Sequence, residues 1–189
     1  MGVAADGTGF VAPAFDAAVA FRAIMDAMAR PGTIVTVAGA VPPGGLSAAA
    51  AVVLLTLADG TTPVHLAGAA DCAAARAWLA FHTGAPVTDA GRAVFAAGPW
   101  DAILPFDRFP MGDPAYPDRS ATLIGEVARL APDGARLTGP GIKGSAQLSV
   151  PDAAPFRTNR RLFPLGVDVI LTCGDRLACL PRSTHVEAG

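Results

Sequence analysis

The sequence predicts a single layered α/β domain. Helical patterns alternate with short apolar runs, the signature of helices packed on a sheet. Near the C-terminus, residues 167–173 and 177–180 are two runs with little charge, joined at Gly174-Asp175-Arg176, which reads as a buried β-hairpin. The length of 189 residues, with 52% hydrophobic and 16% charged residues, suffices for one substantial core and barely for two.

Residues 1–12 are small and glycine-bearing and are expected to form a loose arm. Residues 13–30 form the clearest helical pattern, with Phe21, Ile24, Met25 and Met28 on one stripe expected to face the core. Pro13 suits a first turn, Asp16 complements the positive end of the dipole, and Arg30-Pro31-Gly32 stops the helix. A strand is expected at 33–37, then a loop through Pro42-Pro43-Gly44-Gly45. Ser47 suits the cap of a helix over 48–58, which is apolar on all sides and hence buried. A strand at 62–66 follows Asp59-Gly60. Asp71 is the expected cap of a helix through His82 that turns Trp78 and Leu79 inward and ends at Thr83-Gly84. Another strand is expected at 93–97.

Regularity fails over 98–118, where Pro99, Pro105, Pro110, Pro114 and Pro117 forbid a long helix or a central strand. Such a segment in a compact domain usually carries function or an interaction surface. Strands are expected again at 120–127, 136–138 and 147–150, with a short helix over 152–162 bearing Arg157, Arg160 and Arg161. No repeat or low-complexity linker divides the chain, so 1–189 is read as one domain.

The formal net charge of −2 argues against a nucleic-acid-binding face. The longest apolar run, residues 46–58 with Ser47 and Thr56 inside it, is shorter than the roughly 20 residues that span a bilayer. No basic residue precedes Arg22, so no secretory leader is expected, and the chain reads as cytoplasmic. Cys72, Cys173 and Cys179 lack metal-ligand spacing and read as reduced thiols.

Residues 139–144 formally match GxGxxG, but alternating strand-like residues follow where a phosphate-binding helix is needed, so a turn is the reading. His65, His82 and His185 have no metal-ligand spacing, and no serine or cysteine nucleophile has a local signature. No catalytic residue, metal or cofactor is therefore expected. The arginines are more telling, because Lys143 is the sole lysine among 14 basic residues. Guanidinium forks match phosphate and phosphonate oxygens, which makes Arg119, Arg160, Arg161 and Arg182 candidates for a ligand or an interface. A solvated face or salt bridges are the alternative.

Six stretches in order carry a family resemblance: Ala27-Met28-Ala29-Arg30-Pro31-Gly32; Leu54-Leu55-Thr56-Leu57-Ala58-Asp59 with Thr62-Pro63-Val64; Phe81-His82-Thr83-Gly84-Ala85-Pro86; Leu137-Thr138-Gly139-Pro140-Gly141-Ile142; Phe163-Pro164-Leu165-Gly166-Val167-Asp168 with Ile170-Leu171-Thr172-Cys173-Gly174; and Pro181-Arg182-Ser183-Thr184-His185-Val186. Nearly the whole chain resembles the H subunit of the bacterial carbon–phosphorus lyase core complex. Ser183 and His65 depart mildly from the family pattern.

The resemblance implies a three-layer α/β/α sandwich with a mixed sheet, like the large domain of pyridoxal-phosphate-dependent transferases but without that cofactor. Lys143, in a glycine-rich turn, is the one lysine that a Schiff base could use. It further implies a homodimer that joins the G, I and J subunits. Their joint task is to attach a phosphonate to the ribose of ATP with loss of adenine, before the carbon–phosphorus bond is cleaved by radical chemistry on the J subunit. The resemblance adds Asp168, Thr184 and His185 to Arg119, Arg160, Arg161 and Arg182 as candidate binding residues. Phosphonate or ATP are the candidate ligands, and an arginine-lined cleft binding them is the alternative to a purely organising role.

Overall fold

The structure, a computed structural model, describes residues 7–189. Two sheets organise it. The larger is built from β1 (Ile34–Thr36), β2 (Val64–Leu66), β3 (Phe95–Pro99), β4 (Thr122–Glu126), β7 (Asp168–Cys173) and β8 (Arg176–Leu180), in the spatial order β1-β8-β7-β4-β3-β2. Strands β2, β3, β4 and β7 run parallel, while β8 and β1 are antiparallel additions. The expected hairpin is thus β7–β8. Its strands sit inside the sheet, which is why both runs lack charge. The smaller sheet, β6-β5-β9, joins β5 (Ala135–Thr138), β6 (Ala146–Leu148) and β9 (His185–Glu187).

Among the described residues four α-helices pack with the sheets: α1 (Pro13–Ala29), α2 (Ala48–Leu57), α3 (Ala73–Thr83) and α4 (Ala154–Arg160). One sheet face carries α1, α2 and α3. There Ile24, Leu54, Trp78 and Leu79 meet Val64, Ile124, Ile170, Leu177 and Cys179. Residues 49–54 of α2 are all buried, as their apolar sequence requires, and the Ser47 hydroxyl caps the helix by accepting the Ala50 N–H at 3.1 Å. Burial pushes the Cys179 thiol up to about 12, so it stays neutral.

The opposite face departs from a helical third layer. It is covered by the smaller sheet, the proline-rich segment and the seven-residue α4. Prolines permit only single turns of 3₁₀ helix, at Trp100–Ile103, Phe106–Arg108 and Pro117–Arg119. The segment expected to be surface is in good part core. Trp100 stacks on Phe156 of α4 with centroids 5.5 Å apart, and Phe106 meets both edge-on at 5.8 Å.

Several local expectations need correction. On α1 the buried side chains are Ala20, Ile24 and Ala27, while Phe21 and Met25 are half exposed. The helix packs closely on α2 and β8, and only small residues permit that approach, so the larger apolar residues fall on the flanks. Asp71 does not cap α3. Its carboxylate pairs with Arg76 at 2.5 Å, and the Cys72 sulfur accepts the Ala75 N–H instead. Of the arm expected over 1–12, residues 1–6 lie outside the described residues; Thr8 exchanges two backbone hydrogen bonds with Val41, and Phe10 packs on the helical layer. The helix expected over 152–162 is shorter, and the chain beyond it turns back so that Gly166 approaches Asn159. Gly166 has φ 113°, and a Cβ there would lie 2.5 Å from the Asn159 amide oxygen. Asn159 is buried and clamps Val167 through two hydrogen bonds of 2.8 and 2.9 Å, tying α4 to the entry of β7.

The Phe156 ring anchors the proline-rich segment, so Phe156→Ala should destabilise the chain by about 3–5 kcal/mol in chemical denaturation. Phe156→Leu, which refills most of the volume, should cost markedly less.

Candidate functional site

The seven candidate residues fall into two places and two isolated positions. The first place is a latch. The hairpin brings Asp168, at the start of β7, beside Arg182, two residues past the end of β8. The guanidinium grips the carboxylate in a fork, Nε–H to Oδ1 at 3.2 Å and Nη2–H to Oδ2 at 2.6 Å. The Arg182 backbone N–H also donates to Oδ1 at 2.8 Å. The remaining donors turn to the end of the proline-rich segment: Nη1 to the Pro117 carbonyl at 2.6 Å, and Nη2 to the Ser120 hydroxyl. Four of the five guanidinium N–H groups are therefore engaged. The side chains are only 12% and 23% exposed. Arg182 and Asp168 hold three chain segments together, and the guanidinium has one donor left for a ligand.

The second place is a cleft of about 420 Å³ between α4 and β9, lined by Arg157, Arg160, Arg161, His185, Val186 and Glu187. It brings together Arg160, Arg161 and His185. Arg157 and Arg160 stand three apart on α4 and Arg161 follows at its end, so helical periodicity sends them to one side. The opposite wall exists because β9 leaves the large sheet after Pro181 and pairs with β5, His185 opposite Thr138. Among the described residues, none of Arg157, Arg160 and Arg161 has a carboxylate partner, whereas Arg30, Arg76, Arg92, Arg129, Arg136 and Arg182 each have one. The one carboxylate of the cleft, Glu187, is taken by Arg136 at 3.1 Å. The Arg160 guanidinium lies 4.7 Å over the Phe163 ring, and its Nε is buried with no hydrogen-bond partner. Stacking leaves the in-plane donors of a guanidinium open to an anion.

Arg119 stands apart from both. It is exposed and stacks 3.8 Å over the Tyr116 ring. Thr184 is buried, with its hydroxyl unpartnered and its N–H donating to the Pro181 carbonyl, so it turns the chain from the latch into β9.

The glycine-rich turn at 139–144 links β5 to β6 and packs against the C-terminal end of α1. A Cβ on Gly141, φ 80°, would lie 2.0 Å from the Ala29 carbonyl oxygen. A helix C-terminus repels phosphate, so the structure agrees with the turn reading. Among the described residues no group of three His, Cys, Asp or Glu is placed to hold a metal ion. No helix there is long and apolar enough to cross a membrane.

Glu126 was not foreseen. It ends β4, and its carboxylate accepts the Ser47 N–H at 2.6 Å, beside the N-terminus of α2. Burial holds its carboxyl above the ordinary glutamate value of 4.5, and the Ser47 hydrogen bond opposes that rise. A lone glutamate at a strand end gives no signal of this, because its partner lies 79 residues earlier.

These features define a mixed-sheet α/β protein with an internal ion-pair latch and an open cationic cleft. The family follows from comparison with known proteins. The model of the bacterial phosphonate metabolism protein family (PhnH) matches residues 8–187, and the chain belongs to that family. It is 43% identical over 188 residues, 94% of each chain, to the Rhizobium meliloti (strain 1021) protein named alpha-D-ribose 1-methylphosphonate 5-triphosphate synthase subunit PhnH. It is 32% identical over 180 residues to the Stutzerimonas stutzeri protein named putative C-P lyase subunit protein HtxG, covering 89% of this chain and 84% of the relative.

Two outcomes follow from the site's electrostatics. Arg182→Ala leaves the half-buried Asp168 carboxylate unpaired and should cost about 3 kcal/mol in urea denaturation, a loss unaffected by added phosphate or phosphonate. For Glu126 the folded value is raised, so its carboxyl costs no stability below the unfolded value. The penalty grows as pH rises through the folded one. The melting temperature of Glu126→Gln, which keeps an acceptor for Ser47, should therefore rise relative to the parent chain between about pH 4 and pH 7. A relative fall over that interval would contradict the burial argument.

Proposed function

We propose that this chain is a non-autonomous subunit of a carbon–phosphorus lyase type complex in the breakdown of organic phosphonates. In this reading it supports transfer of the phosphonate to C1 of the ribose of ATP, with release of adenine, ahead of carbon–phosphorus bond cleavage. The observation that carries it is similarity over nearly the full chain to two proteins that are each named as a subunit, one of a ribose 1-methylphosphonate 5-triphosphate synthase and one of a C–P lyase. Phosphonate metabolism is the family's own description.

The surface supports a partner-bound role. Helix α1 leaves Phe15, Val19, Phe21 and Met25 between 48% and 71% exposed, and Phe15 and Val19 line a groove of about 390 Å³ with residues 36–39. Apolar side chains gathered on one element suit contact with other chains. The proposed partners are a second copy of this chain and the G, I and J subunits, meeting in the cytoplasm, where ATP is available. The chain acts there as an organising component of a transferase complex, with no activity of its own.

Co-expression with the sister subunits tests this. A tagged copy should retain the G, I and J subunits through affinity purification and gel filtration, and the phosphonate transfer to ATP should be lost when this chain alone is omitted. A chain that remains a free monomer at micromolar concentration beside them, or transfer that proceeds without it, would contradict the reading.

A further inference from the structure

We propose that the cleft between α4 and β9 binds a linear polyphosphate, with Arg157 and Arg161 closing on it from the rim and Arg160 from within. The choice of a triphosphate rests on the proposed function; the anion site rests on the cleft alone. Three guanidiniums, those of Arg157, Arg160 and Arg161, line it against the single carboxylate of Glu187, which Arg136 already holds. Six of the thirteen arginines have a carboxylate partner among the described residues, and the three of α4, gathered in one place, are left without one. The dipole of a short helix accounts for a basic residue in its last turn. It does not account for three within five positions, nor for their facing a concave wall.

Concavity and charge together select the ligand. A protruding row of arginines would suit a flat acidic surface, but a space of about 420 Å³ is of the size that takes a small molecule. Arg160 cannot reach far out, because its guanidinium is stacked on Phe163 and its Nε is buried without a partner. That stacking fixes the plane of the fork before any anion arrives, which lowers the entropic cost of binding. Arg157 and Arg161 are four residues apart, just over one helical turn and about 6 Å along the axis. Forks spread over that distance address successive groups of a phosphate chain rather than one tetrahedral ion. His185, exposed on the opposite wall, is placed to donate a further hydrogen bond. The step is binding alone, with no bond made or broken.

The test is calorimetric titration of the full, isolated chain with sodium tripolyphosphate, with orthophosphate and with ATP, at one fixed ionic strength. Tripolyphosphate should bind saturably with Kd below about 1 mM and at least about tenfold tighter than orthophosphate. ATP should compete with it. The double variant Arg157→Ala/Arg161→Ala, both at exposed positions, should weaken tripolyphosphate at least about tenfold with an unchanged melting temperature. Should that variant fold poorly, Arg157→Lys/Arg161→Lys keeps the charge and removes the forks, and it too should bind more weakly than the parent. No saturable binding at millimolar tripolyphosphate, equal binding of orthophosphate, or unaltered affinity in the variants would each overturn the proposal. Loss of the sister subunits by a variant that binds tripolyphosphate normally would assign the arginines to an acidic protein surface instead. Since the titration needs no partner, its failure leaves the assembly reading standing, and failed co-purification leaves the anion site standing.

Discussion

The fold depends on one ion pair at the mouth of its central hairpin. Strands β7 and β8 lie inside the six-stranded sheet with Ile170, Leu171, Leu177 and Cys179 fully buried, so the hairpin has no freedom to shift register without exposing a core face. Asp168 opens the hairpin and Arg182 closes it. Their fork fixes which residue leaves the sheet, and the same guanidinium reaches Pro117 and Ser120 to seat the end of the proline-rich segment before β4. From that point the chain turns through Thr184 and runs away from the large sheet. Without the turn there would be no β9, no second wall and no cleft.

The latch and the cleft use the same residue type for opposite purposes. Arg182 spends four donors on its own chain, and its carboxylate partner is shielded from water, where such a pair is costly to break. Arg157, Arg160 and Arg161 spend none on a carboxylate and face open space. Phe156 and Asn159, on the inner side of the same short helix, hold α4 to Trp100 and to Val167. A rigid inner face and a cationic outer face make α4 the link between the core and whatever the cleft receives.

Much of this was legible in the sequence, and the failures have local causes. The hairpin, the buried α2 with its Ser47 cap, and the breakdown of regular structure over 98–118 follow from run length, cap chemistry and proline sterics. The buried face of α1 was misread because periodicity weights Phe21 and Met25 above Ala20 and Ala27, while close packing selects the alanines. Strand β9 has three residues, two of them exposed, and its pairing with β5 joins positions 47 to 51 apart, so no window of sequence reveals it. The division of the arginines was illegible for the same reason. Arg182 looks as free as Arg161 until Asp168 and Ser120 are placed around it.

That division is the central claim, and mapping of arginine modification by phenylglyoxal tests it most directly. On the native chain, mass spectrometry should find Arg157 and Arg161 modified first and shielded by tripolyphosphate, while Arg182 stays unmodified until the chain is denatured. Modification of native Arg182 as fast as of Arg161, or cleft arginines that react identically with and without tripolyphosphate, would contradict the account.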